Sequence, residues 1–144
     1  MYSLRMVGVI IDQRLIEESE ELGDLRLCRA LLRDDADFDW IVLVPRRVGL
    51  RHLLDLPRTD RAVLMDEIAA AFEALRDAAK PERIAVEIAG GPTSLLHVSI
   101  VGCRHGGPDL RRAAWDGVPR RPLPRDELRS RGRRLRALLG LPRL

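Results

Sequence analysis

Residues 95–101, with the sequence LLHVSIV, form an apolar run that carries one histidine and one serine. Side chains alternate between the two faces of a β-strand, so Leu95, His97 and Ser99 would share one face and the apolar residues between them the other. A neutral imidazole is a nucleophile near pH 7, and a hydroxyl beside it donates a hydrogen bond to an oxyanion. The run predicts either a strand with chemistry on one face or a half-buried strand with a structural histidine.

A metal site is the other chemistry that the residue types suggest. Cys103 and His105 are two residues apart, and both residue types bind zinc. A single Cys-x-His pair lacks the paired spacing of a structural zinc site, so we predict no metal and no cofactor. Cys28 and Cys103 form no CxxC pair, and buried thiols in a reducing compartment are the simplest interpretation.

The elements that would position His97 are mostly strands. Residues 24–34 predict a long strand, and the apolar run WIVLVP at 40–45 predicts a central buried strand after a turn at 35–39, which together form a hairpin. Residues 83–89 alternate as a strand does, and the glycine-led loop GGPTS at 90–94 joins them to the histidine strand.

Three helices are predicted. A short one covers about 13–20 and ends at Gly23, and the longest runs from Thr59 as the N-cap to Lys80-Pro81. Its apolar stripe is predicted at Met65, Ile68, Ala69, Phe72, Leu75 and Ala79, interrupted by Arg76. A second amphipathic helix is predicted at 125–139, with Leu128, Leu135 and Leu138 on one side.

The order of strands, helix, strands and helix favours an antiparallel α+β domain over a doubly wound sheet. At 144 residues the chain is long enough for one domain with a sizeable core. No apolar run approaches the roughly 20 residues of a transmembrane helix, and the run MVGVII lacks the cleavage pattern of a secretory signal. We therefore expect a cytoplasmic protein that does not contact the membrane.

Charge is distributed unevenly along the chain. Residues 1–103 hold 13 basic and 18 acidic side chains, net −5, whereas residues 104–144 hold 12 and 4, net +8. A basic segment of this kind binds RNA or an acidic protein, or it folds back on the acidic surface of its own domain. Folding back is the favoured alternative. We expect no nucleic-acid partner, because no aromatic residue lies among the arginines of 125–136 to stack on bases.

Five blocks of sequence, taken in order, resemble the histidine triad (HIT) family over about residues 8–120. The resemblance is closest to small bacterial HIT proteins, and it depends on the order of the blocks, since no single block would suffice. The blocks are LGDLRLCRALLRDDADFDWIVLVPRR (22–47), DLPRTDRAVLMDEI (55–68), KPERIAVEIAGG (80–91), LLHVSIV (95–101) and AAWDG (113–117).

The resemblance implies an antiparallel sheet with one main helix packed on it and a C-terminal helix. It also implies a nucleotide groove in which the middle histidine of a His-φ-His-φ-His strand attacks an α-phosphate and forms a nucleotidyl-histidine that water hydrolyses. His97 takes that middle position, Leu95 the first and Ser99 the third. A serine hydroxyl is a poor acid at pH 7, and losing general acid help slows poor leaving groups by about 10²–10⁴-fold.

The remaining pocket residues also follow from the resemblance. Asp35 matches an acidic residue that binds the ribose hydroxyls, and Asp34 stands where relatives carry asparagine. Gly91 replaces an asparagine or glutamine that contacts phosphate, so its N–H and the hydroxyls of Thr93 and Ser94 would form the anion site. Turn chemistry is the simpler explanation for each of these residues.

Two tryptophans accompany this pocket in the resemblance. Trp40 is expected to pack the groove wall, and Trp115 to cover the pocket or a dimer seam.

The sequence thus predicts a HIT-like domain over 1–120, with an Arg-rich tail at 121–144 that belongs to the same domain. We expect a homodimer that binds a mononucleotide or nucleoside phosphate and acts as a nucleotidyl hydrolase or transferase through His97, with Ser99 as the second catalytic residue. The alternative is a binding or interaction protein whose catalysis is weakened or lost, since two triad histidines are absent.

Overall fold

A computed structural model of the chain describes residues 5–6, 9–10, 17–91, 94–108 and 120–142. A two-stranded sheet joins β1 (Arg5–Met6) to β2 (Val9–Ile10). The main sheet has five antiparallel strands in the spatial order β3-β4-β5-β7-β6. Its strands are β3 (Ser19–Asp24), β4 (Cys28–Arg33), β5 (Phe38–Pro45), β6 (Arg83–Gly91) and β7 (Ser94–Cys103).

Among the described residues, two long α-helices cover one face of this sheet, which we call the helix face. Helix α1 (Arg58–Ala79) contacts β5 and β7, and α2 (Arg125–Leu138) contacts β3 and α1. A 3₁₀ turn at Leu53–Asp55 precedes α1. The predicted antiparallel α+β architecture is confirmed.

The predicted helix at 13–20 ends earlier than expected: Glu17 is helical and Glu18 lies in a turn, but the last two residues are extended. Residues 19 and 20 belong to β3, which pairs with β4 from Ser19↔Arg33 to Asp24↔Arg29, and residues 13–16 lie outside the described part. The glutamate-rich run favours a helix locally, but pairing with β4 buries Leu22 completely and overrides that preference. The predicted strand at 24–34 is correspondingly shorter, because residues 25–27 form the turn between β3 and β4.

The position of α1 agrees with the prediction, but its start and its buried face do not. Pro57, not Thr59, is the N-cap, and its carbonyl accepts the N–H of Arg61 at 3.0 Å. At the other end Lys80 adopts a left-handed conformation (φ 47°), and Pro81 follows, which stops the helix as expected.

The face of α1 that packs on the sheet is rotated from the predicted stripe. Met65 is 61% exposed and Phe72 is 37% exposed. The small Ala71 and Ala74 lie against the sheet instead, because short side chains let the helix approach closely. The buried residues of α1 are Leu64, Glu67, Ile68, Ala71, Ala74 and Leu75.

Helix α2 contributes Leu135 to the core, and Leu128 packs partly against the core. Leu138 was predicted on the same side, but it is 44% exposed. Several of the C-terminal arginines form ion pairs with acidic residues near the first strands, as expected for a basic segment that folds back. The pairs are Arg120–Asp34, Arg120–Glu18, Arg121–Asp37, Arg131–Asp39 and Arg136–Glu20.

The hydrophobic core has two parts, one on each face of the sheet. The larger part lies between the sheet and the helices and includes Leu96, Val98 and Ile100 of β7. The smaller part lies on the opposite face, which we call the His97 face. It consists of Leu31, Phe38, Trp40, Val42, Val44, Val101 and Cys103, with Leu95 packed against it.

Candidate active site

His97 lies on β7 between β5 and β6, on the face away from the helices. It is half-buried, and Ser99, two residues further, is 7% exposed. The predicted alternation is confirmed, because Leu96, Val98 and Ile100 enter the core under the helices whereas Leu95 and Val101 join the smaller cluster. The strand therefore presents one imidazole and one hydroxyl side by side on a largely apolar face.

The imidazole is held by its own strand. Nδ1 of His97 lies 2.9 Å from the carbonyl oxygen of Leu95. A carbonyl only accepts hydrogen bonds, so Nδ1 carries a proton, and in the neutral ring Nε2 keeps its lone pair. This is the tautomer that a histidine nucleophile needs, and it depends on neither missing triad histidine.

Residues of the neighbouring strands lie directly opposite Ser99 and His97. The register pairs Ser99 with Val42 on β5 and with Glu87 on β6, and pairs His97 with Ala89. Directly opposite residues in an antiparallel pair share a face, with Cβ atoms about 4.5–5.5 Å apart. Glu87 thus stands next to Ser99 on the His97 face, a neighbour that the sequence analysis did not identify.

The loop beyond His97 is where the anion site was predicted. Gly91 is buried, pairs with Ser94, and its carbonyl accepts a hydrogen bond of 3.4 Å from Nη1 of Arg51. The place where a side chain would stand at Gly91 is open, with no atom within 4 Å among the described neighbours of that glycine. Thr93 lies outside the described residues, and only the backbone of Ser94 is described.

Asp35 lies at the opposite end of the sheet face from this loop. Phe38 pairs with Cys103, so the β4–β5 turn that carries Asp35 lies beyond Ser99. The carboxylate is 5% exposed, and Oδ1 accepts the N–H of Asp37 at 2.8 Å, as in an Asx turn. Burial raises the pKa of Asp35, against the opposing effect of that hydrogen bond.

Asp34 is engaged by the C-terminal segment. One oxygen accepts the N–H of Leu123 at 2.7 Å, and the other accepts Nη1 of Arg120 at 3.0 Å. These contacts attach residues 120–123 to the end of β4. These contacts indicate a structural role for Asp34. Strand β5 lies between β4 and β7, so both aspartates are separated from the strand that carries His97.

Arg33 is a second residue that the sequence analysis missed. Its guanidinium lies 4.7 Å from the centroid of the Trp40 ring, and Nη2 donates to Glu18 at 2.9 Å. Trp40 is 8% exposed and packs in the smaller core cluster, as predicted. The alternation of β4 was the available signal, because Leu31 and Arg33 are two residues apart and face the same side.

A separate cavity of about 370 Å³ lies on the helix face between α1, α2 and the sheet. Asp39 lies in its wall and accepts hydrogen bonds from Arg104 at 3.3 Å and from Arg131 at 3.1 Å. Asp39 is therefore paired within the cavity, and the sheet separates this cavity from His97.

No metal centre is evident in the described residues, where no group of three or more His, Cys, Asp or Glu side chains converges. Cys28 and Cys103 are free and buried. Burial, reinforced by the nearby Glu67 carboxylate, raises the pKa of the Cys28 thiol. No helix among the described ranges is long and apolar enough to cross a membrane.

Comparison with known proteins identifies the class that this fold and strand define. The sequence signature of the HIT domain matches residues 15–106, well over half of the chain. The chain belongs to the histidine triad family. No significant relative was found among curated proteins.

Solved structures of bacterial histidine triad proteins are similar over nearly the whole chain. One from Bradyrhizobium japonicum is 29% identical with a TM-score of 0.82 and covers 90% of this chain and 96% of its own. One from Sinorhizobium meliloti is 28% identical with a TM-score of 0.80, covering 91% and 97%. One from Marinobacter aquaeolei is 28% identical with a TM-score of 0.80, covering 89% and 93%.

Proposed function

We propose that this protein binds a nucleoside 5′-phosphate on the His97 face and hydrolyses or transfers its nucleotidyl group. The observation that carries the proposal is the 2.9 Å contact between Nδ1 of His97 and the Leu95 carbonyl, which leaves the Nε2 lone pair free. Membership of the histidine triad family supports it.

In the proposed reaction the Nε2 lone pair of His97 forms a bond to the α-phosphorus, and the bond to the leaving group breaks with its electron pair. Water then attacks the phosphorus of the nucleotidyl-histidine, the P–N electron pair returns to the imidazole, and the proton that the water loses passes to solvent. Ser99 donates its hydroxyl proton in a hydrogen bond to a phosphate oxygen on the leaving-group side.

The proposal also assigns phosphate and ribose contacts to residues on either side of His97. Gly91, Thr93 and Ser94 receive phosphate oxygens at the loop end, Leu95 packs beside them, and Asp35 meets the ribose at the far end. Asp34 contributes by fixing the β4–β5 turn through Arg120 and Leu123. No cofactor is part of the mechanism.

A protein that binds nucleotides without turnover is the second candidate. Leu95 is an apolar side chain packed on the smaller core cluster, and Gly91 has no side chain that could contact phosphate. Ser99 is a poor general acid. These features favour binding over efficient chemistry.

We also propose a homodimer formed through β6, which is an edge strand of the main sheet. Val86 is 43% exposed and Ile88 is 42% exposed, both on the helix side of that edge. An edge strand with exposed apolar residues is prone to pair with another copy. The free buried thiols of Cys28 and Cys103 suit a cytoplasmic location.

The test is turnover of an adenosine 5′-phosphoramidate and of a dinucleoside polyphosphate. We expect His97→Ala to lose at least about 10³-fold in kcat/KM because the nucleophile is removed, whereas His105→Ala, an exposed histidine in the turn after β7, should match the wild type. Turnover that survives in His97→Ala would reject the mechanism. AMP binding without turnover would favour the second candidate, and absence of AMP binding would reject both.

A further inference from the structure

The strand beside β7 carries an acid at the centre of the candidate site. Glu87 is half-buried and lies directly opposite Ser99, and Ala89 lies directly opposite His97. A diagonal neighbour in an antiparallel pair is about 7–8 Å away, so the Glu87 carboxylate is within reach of a group bound over both residues.

No cation balances this acid in the two central rows, as far as the described residues show. The row of Ser99 holds Val42 and Glu87, and the residue opposite His97 on β6 is alanine. Arg33 lies on β4, three strands from β6, where it pairs with Glu18. Glu87 is therefore the acidic side chain of these two rows, and no described arginine or lysine shares them.

We infer that Glu87 selects the leaving group, favouring amine leaving groups over polyphosphates. The inference rests on the proposed function, which places the leaving-group side of the phosphate at Ser99. A carboxylate there repels the additional phosphates of a dinucleoside polyphosphate and accepts hydrogen bonds from an N–H of a departing amine.

For a nucleoside phosphoramidate, solvent protonates the bridging nitrogen, whose N–H donates to the Glu87 carboxylate. The Nε2 lone pair of His97 forms the new P–N bond, and the old P–N bond breaks with its electron pair on the amine nitrogen. A neutral amine departs, and water later releases the nucleotide from His97.

The experiment compares kcat/KM for an adenosine 5′-phosphoramidate of a primary amine with that for a dinucleoside polyphosphate. Glu87→Gln keeps the size and removes the charge, and we expect the ratio of the two kcat/KM values to fall about tenfold. Glu82→Gln, an exposed acid just before β6, is the matched control and should leave the ratio unchanged. Equal thermal unfolding temperatures would show that neither change acts through folding.

A ratio that stays constant in Glu87→Gln while His97→Ala abolishes turnover would overturn the inference and leave the proposed function intact. If the wild type turns over neither substrate, the readout becomes the ratio of Kd values for ADP and AMP. We then expect Glu87→Gln to tighten ADP several-fold more than AMP, and an unchanged Kd ratio, or absence of binding, would also overturn it.

Discussion

At the scale of single residues, one buried carboxylate satisfies backbone N–H groups that an apolar side chain could not satisfy. Glu67 is 6% exposed on α1, and its two oxygens accept the backbone N–H groups of Leu27 and Cys28, both at 2.8 Å. This carboxylate joins α1 to the β3–β4 turn. Buried donors without partners are costly, so the bidentate contact explains why an acid lies in the apolar core.

Glu67→Ala should lower the free energy of unfolding by about 2–4 kcal/mol, because it leaves two buried N–H groups unsatisfied and opens a cavity. Denaturant unfolding of the variant beside the wild type measures the loss. Asp66→Ala, at the exposed position just before it, should change stability by less than about 0.5 kcal/mol. Equal losses in the two variants would contradict this role for Glu67.

At the scale of elements, those with a strong pattern could be predicted and those fixed by distant partners could not. The runs WIVLVP and LLHVSIV are strands, and α1 ends at Lys80 as its proline requires. The local sequence predicts helix at residues 19–20, because their extended conformation depends on the pairing of β3 with β4.

The candidate site also combines residues that the sequence predicts with residues that it does not predict. The alternation along β7 predicts that His97 and Ser99 share a face. The neighbour of Ser99 depends on the register between β6 and β7, which no local period determines. The partner of Asp34 is Arg120, 86 residues away, and sequence proximity gives no sign of it.

The junction between the loop before α1 and the β6–β7 hairpin provides an element-scale prediction. A Cβ atom at Gly90 would collide with the carbonyl oxygen of Arg51, and Leu96 donates its N–H to the carbonyl of Leu50 at 2.9 Å. Gly90→Ala must therefore displace backbone and should cost about 2 kcal/mol or more.

Gly91→Ala is the matched control for that variant, because the space at Gly91 is open and its φ is not in the left-handed region. Its stability should stay within about 0.5–1 kcal/mol of the wild type. Chemical denaturation of both variants measures the difference, and a Gly90→Ala protein as stable as Gly91→Ala would show that the loop moves freely away from the hairpin.

At the scale of the whole molecule, ion pairs connect the C-terminal segment to the acidic strands. Arg121 donates to both carboxylate oxygens of Asp37, and the backbone N–H of Ala36 donates to the Arg121 carbonyl. The hydrogen bond from Arg121 is the main cause of a lowered pKa for Asp37. The segment thus closes the β4–β5 turn beside the candidate site.

This pair predicts part of the acid sensitivity of the protein. A carboxyl whose pKa is lower in the folded state stabilises the fold above its ordinary pKa, and that contribution is lost as the pH falls below about 4. Asp37→Asn should therefore lose less stability than the wild type between pH 5 and pH 2. Denaturant unfolding across that range measures it, and parallel pH profiles would exclude a contribution from this pair.

The register shift between Ala89 and Gly91 has a consequence for how this site changes over evolution. Side chains on a strand alternate, so a slip of one residue exchanges the whole set that faces a neighbouring strand. A slip of one residue between β6 and β7 would turn Glu87 away from Ser99 and bring Val86 or Ile88 to its place, but burial of Leu96, Val98 and Ile100 on the helix face holds the register. The bulge takes up one unpaired residue, so a change in the length of the adjoining loop need not alter the charge beside Ser99.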